Sequence, residues 1–358
     1  MTRPTRALID AQALRHNLNQ ARQAATNSKI MAVVKANAYG HGLVRVPRIL
    51  AEASAFAVAS FDEGVALRNA GVAHPVCLLE GFFDTTELAM LSHYRFMPVI
   101  HHESQLLELE RYQQKGALDV WLKVDTGMHR IGFAPEVAAQ VRKRLEDCAS
   151  VQRIRMLSHF ANADDTEDPT TQRQIDRFKA LVDGWNLEYS LANSAGVLGW
   201  RQSHFDWVRP GIMLYGASPL LGKSAAELGL QPVMTFTSCL IAVNQQRKGE
   251  RVGYGGEWVC PEDMPVGVAA VGYGDGYPRH APSGTPVLVN GERASLIGRV
   301  SMDMITVDLR GQSDAKVGDP VVLWGEGLPV DEVAQHAGTI GYELLAGMPQ
   351  RVPRVEIN

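Results

Sequence analysis

The chain has 358 residues, 46% of them hydrophobic and 21% charged, with a formal net charge of −4. That length suits two domains or one barrel with an appendage, and the charge offers nothing to a nucleic acid or an anionic membrane. Four cysteines (Cys77, Cys148, Cys239, Cys260) lack CxxC or CxxH spacing, which argues against a disulfide framework or a structural zinc site and suits a reducing compartment.

The opening stretch, "MTRPTRALIDAQALRHNLNQ", has no apolar core of signal-peptide length, and no later stretch approaches a membrane span. A cytoplasmic location is therefore expected. From residue 29 short apolar runs alternate with helical patterns. The runs are "KIMAVVK" (29–35), "FAVAS" (56–60), "PVCLLEG" (75–81), "FMPVI" (96–100), "LDVWLKVD" (118–125), "RIRMLSHF" (153–160), "YSLANS" (189–194) and "FDWVRPGIML" (205–214). Between them, "DEGVALRNAG" ends on a C-cap glycine at Gly71, "ESQLLELERY" repeats at helical spacing, and "TTQRQIDRFKALVDGW" puts Ile175, Phe178, Leu181 and Val182 on one face. Eight such units predict a (β/α)8 TIM-type barrel over residues 1–230, with the first few residues free to join the next unit. A doubly wound open sheet shares the local rhythm and stays as the alternative.

After about residue 230 the texture changes. "VMTFTSCLIAVN", "MPVGVAAVGYGDG", "TPVLVNGERASLIGRVSMDMITVDL" and "DPVVLWGEG" are β-branched runs divided by Gly, Pro and Asn-Gly, with a helical pattern only at "VDEVAQHAG". Residues 231–358 are expected to form a mostly antiparallel β domain, with a hairpin at Asn290-Gly291.

In such a barrel the chemistry lies where strands end and βα loops begin. Lys35, Lys123, Asp125, His159, Asn193, Ser194 and Arg209 all stand at such ends. Each alone has a bland reading: a lysine that reaches solvent, a satisfied core histidine, a structural arginine. Together they line one mouth. "ANSAGV" and "RPGIM" place small residues at the last two strand ends, where barrels build phosphate sites from backbone N–H groups and a hydroxyl. A lysine near the first strand, a phosphate site near the last two and no metal-ligating cluster suggest pyridoxal phosphate held covalently by the lysine.

"AVVKANAYGHG", "LKVDTGMHRIGF", "LSHFANAD", "LANSAG", "RPGIMLYG", "RVGYGGEW", "VGYGDGYPR", "VSMDM" and a terminal "RVPR" resemble, in order and across nearly the whole chain, the motif series of the alanine racemases. The resemblance leans towards the forms associated with alanine catabolism. It implies a pyridoxal phosphate enzyme that interconverts L- and D-alanine, a product that serves as a peptidoglycan precursor. It also implies a homodimer whose active sites each draw on both chains.

By resemblance, Lys35 holds the cofactor and is one proton-transfer base, and Tyr254 of the partner subunit is the other. Arg209 matches the partner of the pyridine nitrogen, with His159 orienting or charging it. Tyr39, Ser194 and the backbone N–H groups of Gly211 and Ile212 match phosphate ligands. Arg130, Tyr273 and Met302 match substrate-binding positions, and Lys123 matches a lysine that some members carbamylate. One departure stands out: many members have a tyrosine just before the final "RVPR", where this chain has Gln350. Two other readings fit parts of the pattern. One is an amino-acid decarboxylase of the same plan, which would need a carboxylate at the pyridine nitrogen and a cysteine instead of Tyr254. The other is a non-catalytic pyridoxal phosphate carrier, which would have no use for the C-terminal 130 residues.

Overall fold

The structure is a computed structural model that describes residues 3–112, 114–115 and 118–358. The described chain opens with a strand, β1 (Arg6–Asp10), and a helix, α1 (Ala11–Ala24), whose start is capped by Asp10 accepting from the Ala13 amide at 2.9 Å. Eight parallel strands then close into a barrel: β2 (Lys29–Val33), β3 (Ala55–Val58), β4 (Val76–Leu78), β5 (Phe96–Ile100), β6 (Leu118–Lys123), β7 (Val151–Leu157), β8 (Glu188–Ser190) and β9 (Trp207–Val208). The seam joins β2 to β9, with Lys29 opposite Trp207 and Ile30 opposite Val208. The eight apolar runs are these eight strands. The open-sheet alternative is excluded by that closing pair.

Strand alternation fills two layers at once. Met31 and Val33 of β2 join Ala55, Ala57, Cys77, Val99, Trp121 and Trp207 inside the barrel. Ile30, Ala32 and Val34 belong instead to the larger core outside it, shared with the surrounding helices. Period-two alternation between two apolar layers explains why these strands read as continuous apolar runs.

The second unit is an eight-stranded sheet built around β10 (Met234–Gln246), a 13-residue strand that bends at two register shifts. Its neighbours include Met264–Ala269 and Pro320–Trp324, both antiparallel to it. The Asn290-Gly291 hairpin has φ of 53° and 83°, with Val289 opposite Glu292. Positive φ at both central residues is the turn that matches strand twist. β1 pairs antiparallel with β10 and parallel with the last strand, Arg354–Ile357, so both chain ends lie in this sheet. Among the described residues no helix is long and apolar enough to cross a membrane.

Candidate active site

The polar residues at the strand ends gather at the carboxyl-terminal mouth of the barrel. Arg209 follows β9 directly and is buried, 4% exposed. Its Nη1 donates to Ser190 Oγ at 2.5 Å, and its Nη2 donates to the Ser158 carbonyl at 2.7 Å and the Leu191 carbonyl at 3.3 Å. Nη2 also donates to His159 Nδ1 at 3.2 Å, which assigns the imidazole proton to Nε2. All four acceptors are neutral. Burial pulls the guanidinium down to about 10, so it remains a cation at neutral pH.

His159 is held well below the ordinary histidine value by burial, then by the charges of Arg209, Lys123, Arg130 and Lys35. It is a neutral acceptor that orients Arg209 and adds no charge to it. Lys123, the last residue of β6, is 6% exposed and pulled down to about 7, by burial first and then by Arg209 and Arg130. Asp125 turns its carboxylate to its own loop, accepting from the amides of Gly127, Met128 and His129 at 2.9–3.1 Å. Arg130 itself is exposed.

Lys35 is half-buried and begins an unusual segment. Ala36, Asn37, Ala38 and Tyr39 have φ of 53°, 54°, 53° and 51°, one left-handed helical turn made without a glycine. Such a conformation costs about 1–2 kcal/mol per L-residue, so other contacts must hold it. Asn37 Oδ1 accepts from the Leu43 amide at 2.8 Å, and His41 Nδ1 donates to the carbonyls of Ala38 and Tyr39 at 3.1 and 2.8 Å. His41 is fully buried, and burial lowers it to about 4. Arg354, the last residue of "RVPR", donates from Nε to the Gly40 carbonyl at 2.9 Å.

That turn delivers Tyr39 to the barrel's last strand end. A Cβ on Gly211 would lie 2.6 Å from the Tyr39 hydroxyl, so a side chain there would displace the Tyr39 ring. Tyr39 stacks on Tyr215 at 4.7 Å between ring centres, and burial raises its phenol to about 12. It is therefore a neutral O–H donor at working pH. Ser194 is buried and its Oγ accepts from the Gly211 amide at 2.8 Å and the Met213 amide at 3.3 Å. Ile212, between those two, opens a short 3₁₀ turn over Ile212–Tyr215. Two hydroxyls and a run of N–H groups make a donor set suited to a phosphate.

Three expected residues lie elsewhere. Tyr254, Tyr273 and Met302 sit on the C-terminal domain and are 70%, 39% and 53% exposed. Among the described residues no hydrogen bond joins any of them to the barrel mouth of the same chain. They are nonetheless well fixed. Gly253, Gly255 and Gly256 around Tyr254 have φ of 74°, 73° and 53°, and Arg299, ion-paired to Glu257, lies against Gly255. The amides of Tyr273 and Gly274 donate to the Ser301 and Met302 carbonyls at 3.0 and 2.8 Å. An exposed tyrosine pair and a methionine on rigid turns form a surface that this chain alone leaves uncovered.

A model described as the N-terminal domain of alanine racemase matches residues 9–219, and one for its C-terminal domain matches residues 233–356. The chain belongs to the alanine racemase family. It is an enzyme of that family, 53% identical over the full length of both chains to the alanine racemase of Nitrosomonas eutropha. It is 55% identical to that of Nitrosococcus oceani, over 97% of this chain and 98% of the relative. Among solved structures, the biosynthetic alanine racemase from Pseudomonas aeruginosa matches with a TM-score of 0.97 and 46% identity, covering all of both chains.

Several residues contribute to these turns and to the barrel mouth with little or no signal of their own in the sequence. Asp275, 1% exposed, pins the Tyr273 turn by accepting from the Gly272 amide at 2.9 Å and pairing with Arg3 and with Arg351 at 3.1 Å. Tyr342 tilts against Tyr39 at 6.2 Å between ring centres, whereas Gln350 is exposed. Glu63 accepts from the amide of Ala36, next to Lys35, at 2.7 Å. A carboxylate at the third helical position was visible as a capping signal, but its reach to another strand was not.

Proposed function

We propose that this chain is a pyridoxal-phosphate-dependent racemase that interconverts L- and D-alanine by a two-base mechanism in a homodimer. The observation that carries the reading is Arg209: a buried cation at the mouth, hydrogen-bonded among the described residues only to neutral groups. A decarboxylase of the same plan would need a carboxylate in that place, and a carrier would have no use for Tyr254.

The residues fit the cofactor. Lys35 would hold it covalently, Arg209 would face its ring nitrogen, and Tyr39, Ser194 and the amides of Gly211 and Ile212 would take its phosphate. The bare Gly211 beside the Tyr39 hydroxyl favours an anion there, because a side chain would fill the space. When bound, the cofactor supplies the electron sink that makes the alanine Cα proton acidic. The chain's residues then decide where the proton goes. Lys35 removes or returns it on one face of Cα, and Tyr254 of the partner subunit does so on the other. Arg209 remains charged and disfavours a proton on a nitrogen beside it, which limits the lifetime of negative charge and favours prompt reprotonation. His159 holds the guanidinium in place through Nδ1. Arg130 and the Met302 amide are proposed to meet the substrate carboxylate, and Tyr273 to narrow the entrance to a methyl group.

Lys123 is proposed to be carbamylated. An amine pulled down to about 7 is partly unprotonated near neutrality, so its nitrogen can attack CO₂ and lose a proton to give an anion that would serve Arg130. The exposed Tyr254, Tyr273 and Met302 support the dimer. Four free cysteines, three of them buried, support a cytoplasmic setting.

The test is incubation with L-alanine in deuterated water, with D-alanine and Cα deuterium both measured. Lys35→Ala should lose the visible absorption of bound cofactor and all activity. Tyr254→Phe should slow proton removal from one enantiomer far more than from the other. Mixing the two inactive variants should restore activity in heterodimers, where one site retains both bases. Heterodimers that form without activity would place both residues in one chain's site.

A further inference from the structure

We propose that Glu63 is a positioning residue for Lys35: its carboxylate ties the ends of two barrel strands and fixes the peptide that follows the lysine. The inference rests on the reading of Lys35 as the cofactor lysine. Glu63 lies in the first turn of the helix Phe61–Asn69, where Ser60 Oγ accepts from its amide at 3.5 Å. A glutamate at that position ordinarily reaches back to the backbone at its own helix start. Here only one oxygen does so. Oε2 accepts from the Ala59 amide at 2.9 Å, just beyond β3, while Oε1 crosses to the Ala36 amide at 2.7 Å, just beyond β2.

The two oxygens therefore hold two neighbouring strand ends at a fixed spacing. Ala36 is the first residue of the left-handed turn, and the other side-chain anchors of that turn act at its far end. Asn37 bonds Leu43, His41 bonds the carbonyls of Ala38 and Tyr39, and Arg354 bonds Gly40. Among the described residues, Glu63 is the side chain that bonds the end bearing Lys35. The backbone ties Val34 to β3 through its amide and the Ala57 carbonyl at 2.8 Å, and closes the turn through the Ala38 amide to the Val34 carbonyl at 2.8 Å and the Gly40 amide to the Ala36 carbonyl at 3.0 Å, but none of these bonds engages the Ala36 amide after Lys35. Without the carboxylate the Ala36 peptide is free to relax towards an ordinary right-handed conformation, which would swing Lys35 and Tyr39 out of register together. A base must sit within about half an ångström of its working position, so proton transfer and cofactor retention would both suffer.

The experiment compares Glu63→Ala, Glu63→Gln and Ser60→Ala with the parent, as holoenzymes and after cofactor removal. Borohydride reduction of the parent, followed by peptide mass analysis, first locates the cofactor. Label on another lysine would overturn the site reading and this inference with it. With label on Lys35, Glu63→Ala should bind pyridoxal phosphate about tenfold more weakly and lose about tenfold in kcat, with KM for alanine within about twofold. Glu63→Gln keeps one acceptor but turns an NH₂ towards the other amide, so it should fall between. Ser60→Ala weakens the same helix start without touching the tie, and should lower the melting temperature while leaving cofactor affinity and kcat unchanged. If Ser60→Ala loses as much as Glu63→Ala, or if Glu63→Ala keeps both properties, the positioning role is wrong. Hydrogen exchange on the unmodified protein is independent of whether the variants fold. The Ala36 amide should be strongly protected although Ala36 is solvent-exposed, and exchange at the rate of a free amide would overturn the tie itself.

Discussion

The barrel has a buried arginine at each end, and the two are built differently. At the amino-terminal floor, Arg155 is 5% exposed and meets two carboxylates, Glu188 Oε2 at 2.6 Å and Asp119 Oδ2 at 3.1 Å. Lys29 joins the same Glu188 at 2.5 Å and lies over Trp207. Partial burial works to raise the Glu188 carboxyl, but these two cations outweigh it and hold it down to about 2. At the mouth, Arg209 is equally buried and meets a serine, two carbonyls and a neutral imidazole. A buried charge with its counter-charge is complete and has nothing left to offer. A buried charge without one costs stability, and it persists where something else makes use of it. Burial of an arginine says little by itself; the sign of its neighbours separates scaffold from site.

The sharpest way to break that contrast is to remove each cation. Arg209→Met should cost less unfolding free energy than Arg155→Met, because relief of an uncompensated buried charge offsets part of the cost of leaving its four neutral acceptors unpaired. Racemase activity should fall by about 10²–10³, the usual cost of losing a preorganised electrostatic group. Arg155→Met should do the reverse. Asp119 loses its cation and Glu188 keeps only Lys29, so urea melts should show a loss of about 3 kcal/mol, with kcat/KM of the folded fraction unchanged. An Arg155 variant with impaired kinetics at full stability would dissolve the distinction.

The strand ends were legible because barrel strands carry an unmistakable apolar texture and a polar residue at their close. The eight runs, the Asn290-Gly291 hairpin and the convergence of Lys35, Lys123, His159, Ser194 and Arg209 could all be read from local patterns. The left-handed turn could not. Ala-Asn-Ala-Tyr has no glycine to announce positive φ, and besides the local bonds of Asn37 and His41 the turn is held by residues 63 and 354, which no local pattern links to it. The pairing of β1 with Arg354–Ile357 was hidden for the same reason, since register between chain ends has no local signature. Tyr342 lies beside Tyr39 at 6.2 Å between ring centres, whereas Gln350, next to the "RVPR" motif, is exposed. Sequence neighbours of a motif are not always its spatial neighbours.

Lys123 offers a pH test of the mouth's uncompensated charge. Its folded value, about 7, lies below its ordinary value of 10.5. Between those limits the unfolded chain binds more protons than the folded one. Stability should therefore rise as pH climbs from about 7 towards 10, by at most about 1.4 kcal/mol per unit. Lys123→Met should flatten that rise, as should bicarbonate if the amine is carbamylated. A ¹³C resonance from labelled bicarbonate, present in the parent and missing from Lys123→Met, would mark the carbamate directly. An unchanged slope in Lys123→Met would mean that another group titrates.

The smallest expected effects come from trimming one partner of each arginine. At the mouth, Ser190 Oγ accepts from Arg209 Nη1 at 2.5 Å and donates to the Trp207 carbonyl at 2.8 Å. Ser190→Ala removes both bonds, yet Arg209 retains three other acceptors, so the guanidinium should tilt but remain in place. The expected loss is about 1 kcal/mol, read as a fivefold or so fall in kcat with the cofactor still bound. At the floor, Asp119→Asn removes a charge from Arg155, but Glu188 remains and the Asp119 side chain is 29% exposed. Solvent screening limits that loss to about 0.5 kcal/mol of stability, with no kinetic change. A neutral hydroxyl should thus matter more to catalysis than a full carboxylate, because one orients a cation kept available and the other trims a cation already satisfied. If Asp119→Asn slows turnover as much as Ser190→Ala does, the two ends of the barrel are coupled and the floor is part of the site.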